Sequence, residues 1–298
     1  MTHRQPNTFL IGAPKCGTTS VAAWLAQHPQ VFMSDPKEPY TLGSDIEGGV
    51  PEGRYLDLFR SAPPAAKIIA EGSTWYLWSR DAIDRIEREF PGAKYIACLR
   101  NPVDMAWSLH GQEVFNLREP LRSFADAWAA QDARARGEGL PAGRLNTRRL
   151  IYREACALGG QMDALLEKVD RQRIHIIFLE DIAKRPQHEW TQLQNFLEVE
   201  SFIVDLSPRN TARERRSQTF AKLVHLAGPI KRSLGLAWIS LGVANHLNKA
   251  NYKKSVRSPM PMEARRLVEL TLKEEVARIE QIRGCPFSSD LVEATRNS

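Results

Sequence analysis

Residues 8–20 read TFLIGAPKCGTTS, a short apolar run that breaks into a glycine-bounded loop holding one lysine and closing on three hydroxyl residues. An apolar run of this length ending in glycine reads as a buried strand, and the step out of the second glycine opens a helix. A loop between a first strand and a first helix is where a parallel α/β sheet offers backbone N–H groups and the positive end of a helix dipole to an anion. The stretch nearly matches the phosphate-binding pattern G-x-x-x-x-G-K-[ST], with Gly12 and Gly17 as its glycines. Thr18, however, occupies the lysine slot, and Lys15 lies inside the loop. Pro14 stiffens the entry, Gly17 permits close approach, and Thr18, Thr19 and Ser20 add donors at the first helical turn.

Outward from this loop, short runs rich in Ile, Val, Phe and Tyr recur at 30–34 (QVFMS), 67–72 (KIIAEG), 94–100 (KYIACLR) and 173–180 (RIHIIFLE). Helical stripes lie between them: Ala82, Ile83, Ile86 and Phe90 in one, Trp190, Leu193 and Leu197 in another. Strands alternating with helices predict a central, mainly parallel sheet flanked by helices on both faces, a three-layer α/β fold. Beyond Glu200 the strand signal fades. An arginine-rich stretch (207–219), an apolar segment (Phe220 to Leu247), a basic turn and a last helix from Met262 to about Ile282 predict a helical cover. Residues 134–149, with Gly, Pro and charge together, predict a mobile surface loop.

Composition agrees with a globular chain: 298 residues, 43% apolar and 26% charged, so disorder is not the default reading. Lys and Arg outnumber Asp and Glu by 41 to 35, a net charge of +6 that suits an anionic ligand. Neither a signal-type leader nor an apolar run long enough to span a bilayer is evident, so the expected location is the cytoplasm. The four cysteines are far apart with no C-x-x-C pair, which indicates neither zinc nor a disulfide framework. Cys98 reads as core, and Cys16, beside Lys15, as a small turn-filling residue or an accessible thiol.

A second signal is LRNPVDMAWSLH at 99–110. An apolar strand ends at Arg100, Asn101 can cap a helix, Pro102 fits its first turn, and Ser108 stands two turns on. An ATPase would end such a strand with an acid for magnesium. An arginine there points to a second anion instead.

With these two motifs the chain resembles the sulfotransferases that use 3′-phosphoadenosine 5′-phosphosulfate, in particular the carbohydrate-type enzymes of bacteria and of heparan-sulfate synthesis. PKCGTTS resembles their 5′-phosphosulfate loop, and Arg100 to Ser108 their 3′-phosphate motif. DPKEPY (35–40), AEGST (70–74) and FLEDIAKRP (178–186) extend the likeness. It implies a single sulfotransferase domain with a P-loop-like core over about 7–200 and a cover over 201–298. It further implies that Lys15 contacts the phosphosulfate, that Cys16, Gly17, Thr18, Thr19 and Ser20 hold the 5′-phosphate, and that Arg100 and Ser108 bind the 3′-phosphate. Glu38 matches the general base, and Lys37 beside it could orient substrate. Arg213, Arg215 and Arg216 are expected to close over the 3′-phosphate, as basic residues in relatives do. No metal is required, because a sulfuryl group carries less charge than a phosphoryl group and cationic side chains can stabilise its transfer.

Many carbohydrate-type relatives carry a lysine after the glutamate of the AEGST segment, whereas here Gly72 follows Glu71. That leaves Lys15 or Lys37 more of the electrostatic work. Trp75 and Tyr76 stand where an aromatic face can meet a sugar or a base. The expected partner is a small, carbohydrate-like or lipid-linked acceptor, with peripheral membrane contact possible and no nucleic acid. Two other readings remain open: a nucleotide kinase using Glu180 and Asp181 for magnesium, and a nucleotide-binding module without catalysis.

Overall fold

The computed structural model describes residues 4–46, 48–141, 147–207, 213–215, 252–254 and 258–287. Five strands, β1 (Thr8–Gly12), β2 (Val31–Met33), β3 (Ile68–Glu71), β4 (Lys94–Leu99) and β5 (Ile174–Phe178), form one sheet in the order β2-β3-β1-β4-β5. Every neighbouring pair is parallel. All five expected strands are present, and their C-terminal ends share one edge of the sheet. β1 lies in the middle and is buried along its whole length, as a strand covered on both faces must be.

Helices connect the strands. α1 (Thr18–Leu25) follows β1, α2 (Ala82–Glu89) leads into β4, and α3 (Pro102–Phe115) leaves it. Three short helices, α4 (Phe124–Ala129), α5 (Gln131–Ala135) and α6 (Tyr152–Ala155), precede α7 (Leu158–Lys168), and α8 (Leu179–Lys184) and α9 (Pro186–Leu197) follow β5. Asn101 caps α3 by accepting the Val103 N–H at 2.9 Å, with Pro102 in the first turn. The apolar stripes meet the sheet as their spacing requires. Trp24 on α1 and Trp190 on α9 are fully buried edge-on to one another, ring centroids 6.3 Å apart, and Trp190 Nε1 donates to Phe202 O.

The two ends of the region 134–149 depart from the expected surface loop, while 135–139 are exposed and 142–146 lie outside the described residues. Arg134 is buried and pairs doubly with the buried Glu119 at 2.7 and 2.8 Å, Tyr152 donates to the same carboxylate at 2.8 Å, and Arg149 is also buried. A bidentate pair with a third donor offsets the cost of desolvating both charges, so composition alone misled.

The final helix of the sequence reading is two helices, α10 (Met262–Thr271) and α11 (Lys273–Arg283), separated by the buried Leu272. α11 docks on α7, where Gly160 N–H donates to Glu275 Oε2 at 2.9 Å, and Arg265 of α10 pairs with Asp104 of α3. Two further strands, β6 (Arg213–Arg215) and β7 (Tyr252–Lys254), pair antiparallel where no strand was expected, and β6 runs beside α3. Their charged sequences carry no burial signal that could have revealed them. The apolar segment from Phe220 to Leu247 and Arg216 lie outside the described residues. Among the described residues no helix is long and apolar enough to cross a membrane.

The Trp24–Trp190 contact joins the first helix to the last core helix. Trp190→Ala is expected to lower the unfolding free energy by about 3–5 kcal/mol in urea titrations, the cost of an aromatic cavity.

Candidate active site

The loop after β1 is shaped by two glycines. Gly12 has φ +149°, and a Cβ on it would lie 2.8 Å from Thr74 O and 3.0 Å from Leu77 Cβ. Leu77 N–H donates to Ile11 O at 2.8 Å, which holds the 74–77 segment against the strand end. Gly17, at φ +89°, is the N-cap of α1, and a Cβ there would meet Leu179 and Ile182 of α8 at 3.1 and 3.2 Å. Both positions therefore exclude a side chain by backbone conformation and by space together. Between them Lys15 adopts φ +66°, a left-handed conformation uncommon for a residue with a side chain.

The Cys16 thiol is not the accessible one that its place beside Lys15 allowed. It is fully buried, faces Pro14 O and Met105 Sδ at 3.5 and 3.9 Å, and burial pushes its pKa up. The side chain belongs to the core.

β4 runs beside β1, so Arg100 emerges next to the loop. Its Nη1 donates to Lys15 O at 3.2 Å, and its Nε is buried without a partner among the described residues. Ser108, half-buried, stands two turns along α3. Behind Arg100, Glu180 Oε1 accepts the Asn101 N–H at 3.1 Å, and burial raises the Glu180 pKa. Asp181 pairs with Arg283 at 2.7 Å. Both acids of the FLED segment are thus held by protein groups: one supports the start of α3 and the other anchors α11.

A second cluster forms where the segments after β2 and β3 meet. Glu38 Oε1 takes Lys37 Nζ at 3.1 Å and Thr74 Oγ1 at 3.2 Å, and Oε2 accepts from Tyr40 OH at 2.5 Å. Tyr40 OH also contacts Thr74 Oγ1 at 3.1 Å. The Glu38 side chain is 37% exposed, open to an incoming molecule. Burial, then the neighbouring Glu38 carboxylate, raises the Tyr40 pKa, so this phenol stays a donor. Sequence reasoning missed Tyr40 and Thr74. A tyrosine two residues after Glu38 in the extended PKEPY was the available signal; nothing local to Thr74 announces a partner 36 positions away.

Other expected residues are placed as follows. Trp75 and Tyr76 are buried, Arg149 covers the Trp75 ring at 4.9 Å, and Tyr76 OH accepts the Leu42 N–H at 3.0 Å. Their rings are packed within the protein, not displayed to solvent. His28 and His110 are buried, each with Nε2 near a backbone carbonyl. Arg213 and Arg215 lie on β6, beside the helix that carries Ser108.

No protein-family profile matches the chain. In sequence it is 24% identical over 217 residues to a bifunctional heparan sulfate N-deacetylase/N-sulfotransferase 1 of Caenorhabditis briggsae, covering 66% of this chain and 23% of that protein. It is 30% identical over 147 residues to carbohydrate sulfotransferase 15 of Mus musculus, covering 35% of this chain and 26% of that protein. The chain thus spans about a quarter of the length of the curated relatives it matches. In structure, a sulfotransferase of Alicyclobacillus acidocaldarius superposes with a TM-score of 0.67 at 23% identity, covering 96% of this chain and 98% of that one, which establishes the shared fold. Sequence relatives and fold thus point the same way, and the chain is similar to sulfotransferases in both.

Glu71, at the end of β3, is fully buried; Ser73 Oγ donates to its Oε2 at 3.2 Å, Oε1 has no partner among the described residues, and burial raises its pKa to about 8. A carboxyl raised on folding contributes stability that is complete below the unfolded pKa and is lost as pH climbs through about 8. Urea titrations at pH 5 and pH 8.5 should therefore show the wild type losing on the order of 3 kcal/mol between them, and Glu71→Gln losing far less.

Proposed function

We propose that this protein transfers a sulfuryl group from 3′-phosphoadenosine 5′-phosphosulfate to a hydroxyl or amine of a carbohydrate-like or other small acceptor, by in-line attack with Glu38 as general base. The single observation that carries the reading is the convergence at Arg100: a guanidinium tied to Lys15 O, with a buried, unpartnered Nε, at the adjoining strand end. An orphaned cationic donor beside a helix N-terminus fits a doubly phosphorylated nucleotide. When bound, the donor supplies the sulfuryl group and a bisphosphate leaving group.

In this reading Gly17, Thr18, Thr19 and Ser20 hold the 5′-phosphate at the start of α1. Lys15 supports the oxygen that accumulates charge. Arg100 and Ser108 take the 3′-phosphate, with Arg213 and Arg215 of β6 approaching from beside α3. Glu38 removes the acceptor proton while Tyr40 and Thr74 fix its orientation, the arrangement that general-base catalysis needs. Tyr76 steadies the same segment through the Leu42 N–H. The names of the sequence relatives favour a carbohydrate-type acceptor.

The kinase alternative asks Glu180 and Asp181 to bind magnesium, and both carboxylates already have structural partners. Calorimetry separates the two: adenosine 3′,5′-bisphosphate should bind tightly in the presence of a chelator, and ATP weakly. Lys15→Ala and Arg100→Ala should each weaken that binding about tenfold or more. Glu38→Gln should keep it and lose about 100-fold in turnover. Magnesium-dependent ATP binding would overturn the donor, near-full turnover by Glu38→Gln would overturn the base, and tight bisphosphate binding without turnover on a broad acceptor panel would favour a non-catalytic module.

A further inference from the structure

Gly72 has an ordinary backbone conformation, so the chain does not need glycine there for its φ. What it needs is space. A Cβ on Gly72 would lie 3.2 Å from Lys37 Cε and 3.3 Å from Lys37 Cγ, tighter than nine in ten Cβ contacts, so the lysine stem would have to shift by a few tenths of an ångström. The stem of Lys37 lies across Gly72, with Leu10 of β1 alongside, and Gly72 N–H donates to Lys37 O at 2.9 Å. From this position the ammonium reaches Glu38 Oε1 at 3.1 Å with its side chain 26% exposed. The backbone hydrogen bond fixes where the lysine starts, and the missing side chain of Gly72 fixes where its stem runs.

We infer that Gly72 is the seat of Lys37, and that Lys37 is a second catalytic cation, held on Glu38 at rest and passed to the reacting sulfuryl group as Glu38 becomes protonated. The inference rests on the reading of the site as a sulfotransferase. The charge balance requires this order. The acceptor O–H or N–H bond breaks as its oxygen or nitrogen bonds to sulfur, and the proton goes to Glu38. The bond from sulfur to the bisphosphate oxygen breaks with its electron pair on the bisphosphate. At that moment Glu38 loses the negative charge that held Lys37, while negative charge grows on the departing oxygen. An ammonium already within the site, on a stem guided by Gly72, follows the charge without recruitment from solvent. Resting ion pair and transition-state contact are then two states of one lysine, coupled to proton transfer.

The test is a double-mutant cycle on the full chain, with amine reactivity of the unliganded protein as an independent readout. Gly72→Ala should cut kcat about tenfold and Lys37→Ala about 100-fold, with bisphosphate affinity in each within about twofold of wild type, because the loss is confined to the transition state. The double variant should be no slower than Lys37→Ala, since the alanine at 72 acts only through the lysine. In the unliganded protein, peptide mass spectrometry after limited acylation should show Lys37 labelled faster in Gly72→Ala and in Glu38→Gln than in wild type. Additive losses across the cycle, or unchanged labelling in both variants, would overturn the inference. These failures are distinguishable from failure of the site reading itself, which would appear as a wild-type chain that does not bind the bisphosphate.

Discussion

The structure turns on the close approach at Gly12. β1 is central in the sheet, and at its C-terminal end the backbone must pass within contact of Thr74 O and Leu77, which only glycine permits. That contact fastens the segment after β3 to the loop after β1. The segment carries Thr74, a partner of Glu38, and the loop carries Lys15. On the other side of β1, Arg100 at the end of β4 grips the carbonyl of Lys15. Three strand ends are thereby locked around one central strand, and each delivers one part of the site. Side chains placed by short turns on rigid parallel strands hold their positions more closely than side chains on free loops would.

Charge is distributed to match. Lys15 and Arg100 stand at the C-terminal edge of the sheet, while the acids near them have duties elsewhere. Glu180 supports the start of α3, Asp181 anchors α11 through Arg283, and Glu71 is buried deeply enough to hold its proton to about pH 8. Glu38 is the exception, partly exposed and supplied with three donors. A carboxylate that is ordered yet open is suited to accept a proton from an arriving molecule.

Much of this was legible because the information was local. A strand buried on both faces writes itself as an apolar run, and a cap followed by proline writes itself as a helix start, so β1 to β5 and the beginning of α3 could be read directly. Lys15 and Arg100 could each be singled out from a motif that ends a strand, but not the contact between them. Thr74 and Tyr40 could not be, because their role depends on two loops meeting across the sheet edge. Arg134, buried against Glu119, was read as surface for the same reason: composition records that a residue is charged, but not whether an opposite charge awaits it in the fold. The stem of Lys37 lying over Gly72 joins segments that are far apart in sequence, and only the folded chain shows what the glycine accommodates.

The central claim, that one anionic nucleotide bridges the β1 loop and the end of β4, is tested most directly by a crystal structure with adenosine 3′,5′-bisphosphate. The account predicts the 5′-phosphate at the first turn of α1, among Gly17, Thr18, Thr19 and Ser20, and the 3′-phosphate on Arg100 and Ser108, with the former Arg100 Nε orphan now donating. A nucleotide bound elsewhere, or bound in the loop with its 3′-phosphate away from Arg100, would contradict it.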